Sequence, residues 1–144
     1  MQARILLVDD HEVSRAGIRT LLAPMLEWEI CGEATNGRDA LEKVRQLKPD
    51  VVIMDAIMPS MSGIEATRQM REVSPELKII VMSVHDSNSV AQLASLVGAD
   101  VFLTKTTTPK NFRDTIANLL EPRSIPPEVS DQGTSSQRTP SRLS

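Results

Sequence analysis

The sequence predicts an α/β fold in which a parallel β-sheet is covered by helices on both faces. Five short apolar runs alternate with segments of helical periodicity between residues 3 and 121. Two of these runs, 5–8 and 51–54, are continuously apolar, which is expected of central strands that are buried on both sides. Regular alternation of strands and helices is typical of a doubly wound sheet with right-handed crossovers.

The first half of the chain is predicted to contain three strands and two helices. A strand over 4–8 precedes a helix over 12–26, whose apolar periodicity is the less regular of the two, and a second strand covers 29–34. Asn36 then introduces the second helix, and a third strand covers 51–54. Apolar residues recur at helical spacing in that second helix, namely at Ala40, Leu41, Val44 and Leu47.

The next two helices have recognisable boundaries. Ser62 and Glu65 form a capping box, in which the Ser62 hydroxyl accepts from the Glu65 N–H and the Glu65 side chain reaches back to the backbone of Ser62. A fourth strand over 79–82 follows. The helical pattern after it ends at Gly98, a favourable residue for a helix stop.

A fifth strand and a last helix complete the predicted domain. The strand covers 101–103, and the helix begins at Thr108 and Pro109, an N-cap followed by proline at the first helical position. The composition then changes. Residues 123–144 contain six serines, two threonines and three prolines, and they have too few apolar side chains to offset the cost of ordering. We therefore expect one folded domain over 1–122 and a flexible polar tail or interdomain linker over 123–144.

Composition excludes several classes of function. The chain has 144 residues, a net charge of −3 and a single cysteine, which excludes a disulfide framework and a cysteine metal cluster. A nucleic-acid-binding segment would carry a basic surplus and stacking aromatic residues, whereas only 2% of this chain is aromatic. The sequence has neither a long apolar run nor a signal-peptide profile. We expect a cytoplasmic protein without membrane or nucleic-acid contacts in this segment.

Polar residues cluster at the carboxyl ends of the predicted strands. Asp9 and Asp10 follow the first strand, and Asp55 follows the third. Ser83 follows the fourth strand, and Lys105 lies two residues beyond the fifth. These strand ends share one edge of the sheet, where ligands bind in open α/β folds. Like charges 4 Å apart repel by about 4 kcal/mol at an effective dielectric constant near 20. The three carboxylates therefore favour a bound hard cation, Mg²⁺ or Mn²⁺.

The same residues suit the transfer of a phosphoryl group to an aspartate. A divalent cation and Lys105 would neutralise the carboxylates and screen an incoming phosphoryl group. Asp55 is the candidate nucleophile because it is a lone carboxylate on a central strand, whereas the pair Asp9-Asp10 is better suited to hold the metal. Ser83 could donate a hydrogen bond to a phosphoryl oxygen.

Four segments carry a family resemblance: ILLVDDHEVSRAGIRTLL, VVIMDAIMPSMSGIEATRQMR, VMSVHD and GADVFLTK. Together and in this order they closely resemble the receiver domain of bacterial two-component response regulators, most nearly the NarL/LuxR-type branch. The resemblance spans residues 3–121 and implies a flavodoxin-like five-stranded sheet of order 2-1-3-4-5 with five helices. It also implies a phosphoacceptor with self-catalysed phosphorylation and dephosphorylation only, and not an enzyme.

The resemblance implies roles for the residues of the acidic site. Asp55 resembles the phosphoacceptor, Asp10 a direct Mg²⁺ ligand and Asp9 an outer ligand that acts through water. The backbone carbonyl of Ile57 resembles a further ligand, so the implied metal site comprises these three carboxylates and that carbonyl. Lys105 resembles the lysine that faces the phosphoryl group.

Further positions resemble the switch and the gate of the family. Ser83 stands at the hydroxyl position that follows the phosphoryl group, and Phe102 at the aromatic switch position three residues before Lys105. Phosphorylation would draw Ser83 inward, and Phe102 would fill the vacated space. The face formed by the fourth helix, fifth strand and fifth helix would then change its binding preference. Ile57 and His85 resemble gating positions for water. Simpler interpretations stay open: Phe102 as a core residue, and Ile57 and His85 as exposed loop residues.

The partners and the output follow only from the resemblance. A sensor histidine kinase would supply the phosphoryl group, and a homodimer would form through the face named above or through the first and fifth helices. The chain is either the regulatory half of a LuxR-type DNA-binding transcription regulator or a stand-alone receiver that signals by docking. The polar stretch that reaches Leu143 and Ser144 favours the former, because helix-turn-helix domains of this branch often open near Leu-Ser.

Two other classes of function fit the motifs less well. An Mg²⁺-dependent phosphatase of the haloacid dehalogenase type is a remote alternative, since it requires Asp-x-Asp whereas Asp9 and Asp10 are adjacent. A nucleotide-binding module would need a glycine-rich phosphate loop, and the sequence contains neither G-x-G-x-x-G nor a Walker motif.

Overall fold

A computed structural model describes residues 2–85 and 87–121 as ten alternating strands and helices. The elements are β1 (Ala3–Val8), α1 (Glu12–Leu22), β2 (Trp28–Ala34), α2 (Gly37–Leu47), β3 (Val51–Asp55), α3 (Gly63–Val73), β4 (Lys78–Ser83), α4 (Asn88–Leu96), β5 (Val101–Thr104) and α5 (Pro109–Leu120). The sheet order is β2-β1-β3-β4-β5, and every pair of neighbouring strands is parallel. The predicted doubly wound fold, its strand order and its five helices are confirmed.

The sheet separates two apolar core layers. Because successive strand residues point to opposite faces, Leu6 and Val8 pack with α2, α3 and α4, whereas Ile5 and Leu7 pack with α1 and α5. Phe112 of α5 lies in the second layer and is only 1% exposed. All five residues of β3 are buried, as are the last four of β1. The continuous apolar runs therefore mark strands that are covered on both sides.

Side-chain caps begin four of the five described helices. The oxygens of Asn36, Ser62, Ser87 and Thr108 each accept a hydrogen bond from a backbone N–H in the first turn. The prediction for Ser62 is confirmed, since its hydroxyl accepts from the Glu65 N–H at 3.2 Å. The second half of the predicted capping box is wrong. The Glu65 carboxylate instead accepts from the side chains of Arg68 and Gln69.

Several element boundaries differ from the predicted ones. α1 ends at Leu22 and does not continue to residue 26, because Pro24 has no N–H to extend the helical hydrogen bonds. Asp55 and Ser83 are the last residues of β3 and β4, whereas the prediction placed them just after those strands. At Gly98, which has a φ of 106°, the turn after α4 takes the left-handed conformation that the predicted helix stop requires.

Two further sequence predictions concern the polar tail and membrane-spanning segments. The predicted tail over 123–144 lies outside the described residues. Within the ranges 2–85 and 87–121, no helix combines the length and the apolar character needed to cross a bilayer.

Candidate functional site

The carboxyl ends of four strands bring the predicted site residues to one edge of the sheet. Asp9 and Asp10 follow β1, Asp55 ends β3, Ser83 ends β4, and Lys105 follows β5. β1, β3, β4 and β5 are consecutive neighbours in the sheet. The strand order therefore assembles at one edge residues that are far apart in the sequence.

Lys105 links two of the carboxylates. Its Nζ donates to Asp9 Oδ2 at 2.7 Å and to Asp55 Oδ2 at 3.3 Å, and it lies 3.4 Å from Ser14 Oγ. Its backbone N–H donates to the Ser83 carbonyl at 2.8 Å, which ties the lysine to the end of β4. Partial burial lowers the pKa of Lys105, but the hydrogen bond to Asp9 and the charges of Asp55 and Asp9 outweigh it, so the pKa is raised. The lysine is therefore a fixed positive charge inside the acidic cluster.

The two adjacent aspartates occupy different environments. The Asp9 carboxylate is 3% exposed and fully engaged, since it accepts from the Lys105 ammonium and from the His11 N–H at 2.9 Å. Asp10 Oδ1 is a buried oxygen that finds no hydrogen-bond partner in the described part of the chain. His11 Nδ1 lies 3.2 Å from this oxygen but makes no hydrogen bond to it. A buried carboxylate oxygen without a hydrogen-bond partner is available to coordinate a cation.

The donor set fits a hard divalent cation. One candidate ligand atom each from Asp9, Asp10, His11 and Asp55 lies within 4.8 Å of the others. Three of the four are carboxylates, the ligands that Mg²⁺ prefers. His11 is the N-cap residue of α1, and its side chain caps no backbone N–H. Sequence reasoning did not place His11 in the ligand cluster.

The backbone around Asp55 is held on both sides. The Ala56 N–H donates to the Met82 carbonyl of β4 at 2.8 Å, and the Gly63 N–H donates to the Ala56 carbonyl at 2.9 Å. A Cβ on Gly63 would lie 2.1 Å from the Asp55 carbonyl oxygen, so α3 can start here only with glycine. Asp55 Oδ1 accepts from the Ile57 N–H at 3.2 Å, and the side chain is 9% exposed. The carboxylate thus lies at a fixed position, with little solvent around it.

The residues after β4 and β3 form the rim of this site. Ser83 is 5% exposed, and its hydroxyl accepts from the His85 N–H at 3.4 Å. Val84 and His85 are exposed, and Ile57 is 71% exposed. Ile57 and His85 therefore occupy positions beside the cluster without contributing to the core. Their gating role stays a prediction.

Phe102 lies on β5, where it is partly buried. It pairs in register with Val81 of β4 and packs against the core layer that contains α4. This location is compatible with both interpretations of the sequence, a core residue and a switch residue. The switch role stays a prediction.

Arg15, Gly63 and Ser14 are site neighbours that sequence reasoning missed. Arg15 donates to the Asp9 carbonyl at 2.6 Å, and Ser14 approaches Lys105. Both residues lie on α1, directly after the Asp9-Asp10 pair, so their nearness in the sequence was a usable signal. For the close approach of Gly63 to Asp55, the only hint in the sequence was a glycine at the start of a predicted helix.

Known proteins resemble this chain over most of its length. The sequence model of a family described as "Response regulator receiver domain" matches residues 5–117. The response regulator protein VraR of Staphylococcus aureus is 34% identical over 130 residues, which is 90% of this chain and 62% of VraR. The chain thus spans about 62% of the length of that curated relative.

Solved structures give the same result at the level of the fold. A two-component response regulator of the LuxR family from Aurantimonas sp. SI85-9A1 is 34% identical and has a TM-score of 0.78, covering 83% of this chain and 86% of that chain. The signal receiver domain of the response regulator NarL from Mycobacterium tuberculosis is 28% identical and has a TM-score of 0.77, covering 81% of this chain and 94% of that domain.

Proposed function

The chain belongs to the family of response regulator receiver domains, with relatives of the LuxR type, and we propose that it accepts a phosphoryl group on Asp55. The observation that carries this proposal is the position of Lys105, whose ammonium lies 3.3 Å from Asp55 Oδ2 and 2.7 Å from Asp9 Oδ2. A carboxylate is a poor nucleophile toward an anionic phosphoryl group unless positive charge offsets the repulsion. Lys105 supplies one such charge at a fixed place.

We propose that Asp9, Asp10 and Asp55, with the backbone carbonyl of Ile57, hold a Mg²⁺ ion. Support comes from the unpartnered Asp10 oxygen and from the closeness of the carboxylates. The ion supplies further positive charge against the carboxylates and the phosphoryl oxygens when it is bound. Asp9 would act as an outer ligand through water, since its carboxylate is already engaged by Lys105 and by the His11 N–H.

The proposed donor is a phosphohistidine of a sensor histidine kinase. An Asp55 carboxylate oxygen attacks phosphorus, the new P–O bond gives an acyl phosphate, and the P–N bond to the imidazole breaks. The electron pair of that bond stays on the imidazole nitrogen, and the imidazole leaves as a neutral ring because the other ring nitrogen of the phosphohistidine carries a proton. The attacking group is a carboxylate, which has no proton to lose, so this step needs no general base. The same site would catalyse hydrolysis of the acyl phosphate by water, and no other turnover is proposed.

The positions of Ser83, Phe102, Ile57 and His85 support a proposed switch and a proposed gate for water. Ser83 ends β4 next to the end of β3, and among residues 2–85 and 87–121 its hydroxyl makes one long hydrogen bond, to the His85 N–H at 3.4 Å. We propose that this hydroxyl turns to a phosphoryl oxygen and that Phe102 fills the space it leaves. The face of α4, β5 and α5 would then bind a different partner. The exposed side chains of Ile57 and His85 would limit the access of water to the acyl phosphate.

For the output, we propose that this receiver, assigned to 1–122, regulates a DNA-binding domain in a LuxR-type regulator. Two of the relatives named above support this proposal: the Aurantimonas protein is a response regulator of the LuxR family, and the match covers only 62% of VraR. Residues 123–144 would be the linker. Continuation of the gene past Ser144 into a helix-turn-helix sequence would support this output, whereas a stop codon there would favour the stand-alone receiver.

The remaining proposals concern partners and location. A homodimer would form through the face of α4, β5 and α5 or through α1 and α5. This segment itself would bind neither nucleic acid nor membrane, and the protein would act in the cytoplasm with its kinase.

Intact-mass spectrometry after incubation with acetyl phosphate and MgCl₂ tests the proposed chemistry. The wild-type chain should gain one phosphoryl group, and Asp55→Asn should gain none. Asp39→Asn is the matched control, because it removes an equivalent charge from a carboxylate of α2 that pairs with Lys43. Equal labelling of the Asp55→Asn variant and the wild type would refute the assignment.

A further inference from the structure

Arg15 of α1 connects the acidic site to two other parts of the fold. Its Nη1 donates to the backbone carbonyl oxygen of Asp9 at 2.6 Å. Its Nε donates to Glu33 of β2 at 2.7 Å, and its Nη2 donates to Glu12 at 2.5 Å. The side chain is 11% exposed, and hydrogen bonds gain strength where water is scarce. One planar guanidinium therefore joins α1, β2 and the loop after β1.

The hydrogen bond from Arg15 is one of several that hold the backbone and side chain of Asp9 in place. The Asp9 N–H donates to the Ala34 carbonyl at the end of β2 at 3.0 Å, and the Asp9 carboxylate accepts from the His11 N–H. The Asp9 carbonyl belongs to the peptide plane that continues into Asp10. Arg15 consequently fixes that plane from its acceptor side, and the plane sets the direction in which Asp10 leaves the loop.

Arg19 is a natural comparison for Arg15, because it has the same charge but a different set of contacts. Arg19 donates to Glu33 at 2.7 Å and to Glu12 at 2.7 Å, so it shares both glutamate partners with Arg15. Within residues 2–85 and 87–121, only Arg15 of the two donates to Asp9. The two arginines and the two glutamates are neutral together. The contribution of Arg15 that Arg19 lacks is the hydrogen bond to the Asp9 carbonyl.

We propose that Arg15 is a positioning residue for the metal site: its hydrogen bond to the Asp9 carbonyl holds the Asp9–Asp10 peptide in the orientation that binds Mg²⁺. This inference rests on the proposed function, because it takes the acidic cluster to be the Mg²⁺ site. Groups that orient metal ligands from outside the coordination sphere change metal affinity about 10–100-fold when they are removed. The contact of Arg15 is of this kind.

Titration of the full chain with MgCl₂, followed by backbone amide NMR shifts, tests the inference. Arg15→Ala should raise the Kd for Mg²⁺ about tenfold. Arg19→Ala, which loses the same charge and the same glutamate partners, should leave the Kd unchanged. A measurement without metal is hydrogen exchange of the His11 amide, whose N–H donates to Asp9. It should become faster in Arg15→Ala and stay unchanged in Arg19→Ala.

The possible outcomes distinguish this inference from the proposed function. A wild-type Kd in Arg15→Ala, or an equal change in both variants, would overturn the role of Arg15 while leaving the Mg²⁺ site intact. A wild-type chain that binds no Mg²⁺ would overturn the site and the role together. If Arg15→Ala does not fold, Arg15→Lys and Arg19→Lys replace the pair, since lysine keeps the charge but cannot span three acceptors. The same comparison of Kd values then decides.

Discussion

Lys105 Nζ lies 2.7 Å from Asp9 Oδ2, although 96 positions separate the two residues in the chain. Asp9 is 3% exposed at its side chain and Lys105 is 20% exposed. Loss of Lys105 would leave the buried Asp9 and Asp55 carboxylates without the ammonium that links them, and removal of one partner of a buried charge pair is costly. The first two predictions follow from this pair.

Lys105→Met should destabilise the domain in the absence of divalent cations. Removing one partner of a buried ion pair costs about 3–5 kcal/mol, and methionine keeps most of the packing of the lysine stem. Urea denaturation in EDTA measures the loss. Lys110→Met is the matched control, since Lys110 pairs with Asp114 while 81% exposed and should change the free energy of unfolding by less than about 1 kcal/mol. Equal losses in the two variants would contradict the role of the pair.

The stabilisation by Lys105 should disappear at high pH. The pKa of Lys105 is raised above its ordinary value of 10.5, so the folded state holds this proton more tightly than the unfolded state. The stabilisation is fully present below pH 10.5 and is lost as the pH rises through the raised folded pKa. Urea denaturation of the wild type and Lys105→Met should show curves that converge only in that alkaline range. Convergence already near neutral pH would be inconsistent with a raised pKa.

Gly63→Ala and Gly17→Ala should have opposite effects on stability. A Cβ on Gly63 would meet the Asp55 carbonyl oxygen at 2.1 Å, whereas a Cβ on Gly17 has no neighbour within 4 Å. Overpacking costs about 1–3 kcal/mol or more, and Gly17→Ala in the interior of α1 should gain about 0.5–1 kcal/mol. Urea denaturation measures both. A Gly63→Ala variant as stable as the wild type would show that α3 does not need this close approach to Asp55.

Glu65 should make the stability depend on pH in acid. Hydrogen bonds from Arg68 and Gln69 lower the pKa of Glu65 to about 2. Its contribution is therefore present above its ordinary value of 4.5 and is lost as the pH falls through about 2. Glu65→Gln should remove this part of the acid dependence when thermal unfolding is followed between these pH values. The difference should shrink at high salt because the pair is exposed. An acid dependence that the substitution leaves unchanged would contradict the lowered pKa.

The sequence predicts the fold class because apolar runs and helical spacing are local patterns. It also predicts that Asp9, Asp55 and Lys105 converge, since the carboxyl ends of parallel strands meet at one edge. Contacts that depend on the distance between packed elements were not predictable in this way. The approach of Gly63 to the Asp55 carbonyl and the reach of Arg15 to Asp9 belong to this group.

Local competition explains the two errors at helix ends. The Glu65 carboxylate can bond either to the helix start or to side chains one turn along, and Arg68 and Gln69 offer more donors than the backbone of Ser62. For α1, the apolar pattern continues past Leu22, but Pro24 stops the helix there. A proline within a periodic segment should therefore take precedence over the periodicity.

The position of the phosphoryl group on Asp55 can be tested directly. The test incubates the chain with acetyl phosphate and MgCl₂ and then adds borohydride, which reduces any aspartyl phosphate to homoserine. Peptide mass spectrometry of the reduced chain locates that residue. We predict homoserine at position 55 and unmodified aspartate at Asp9 and Asp10. Homoserine at either of those two positions, or none at position 55, would contradict the claim.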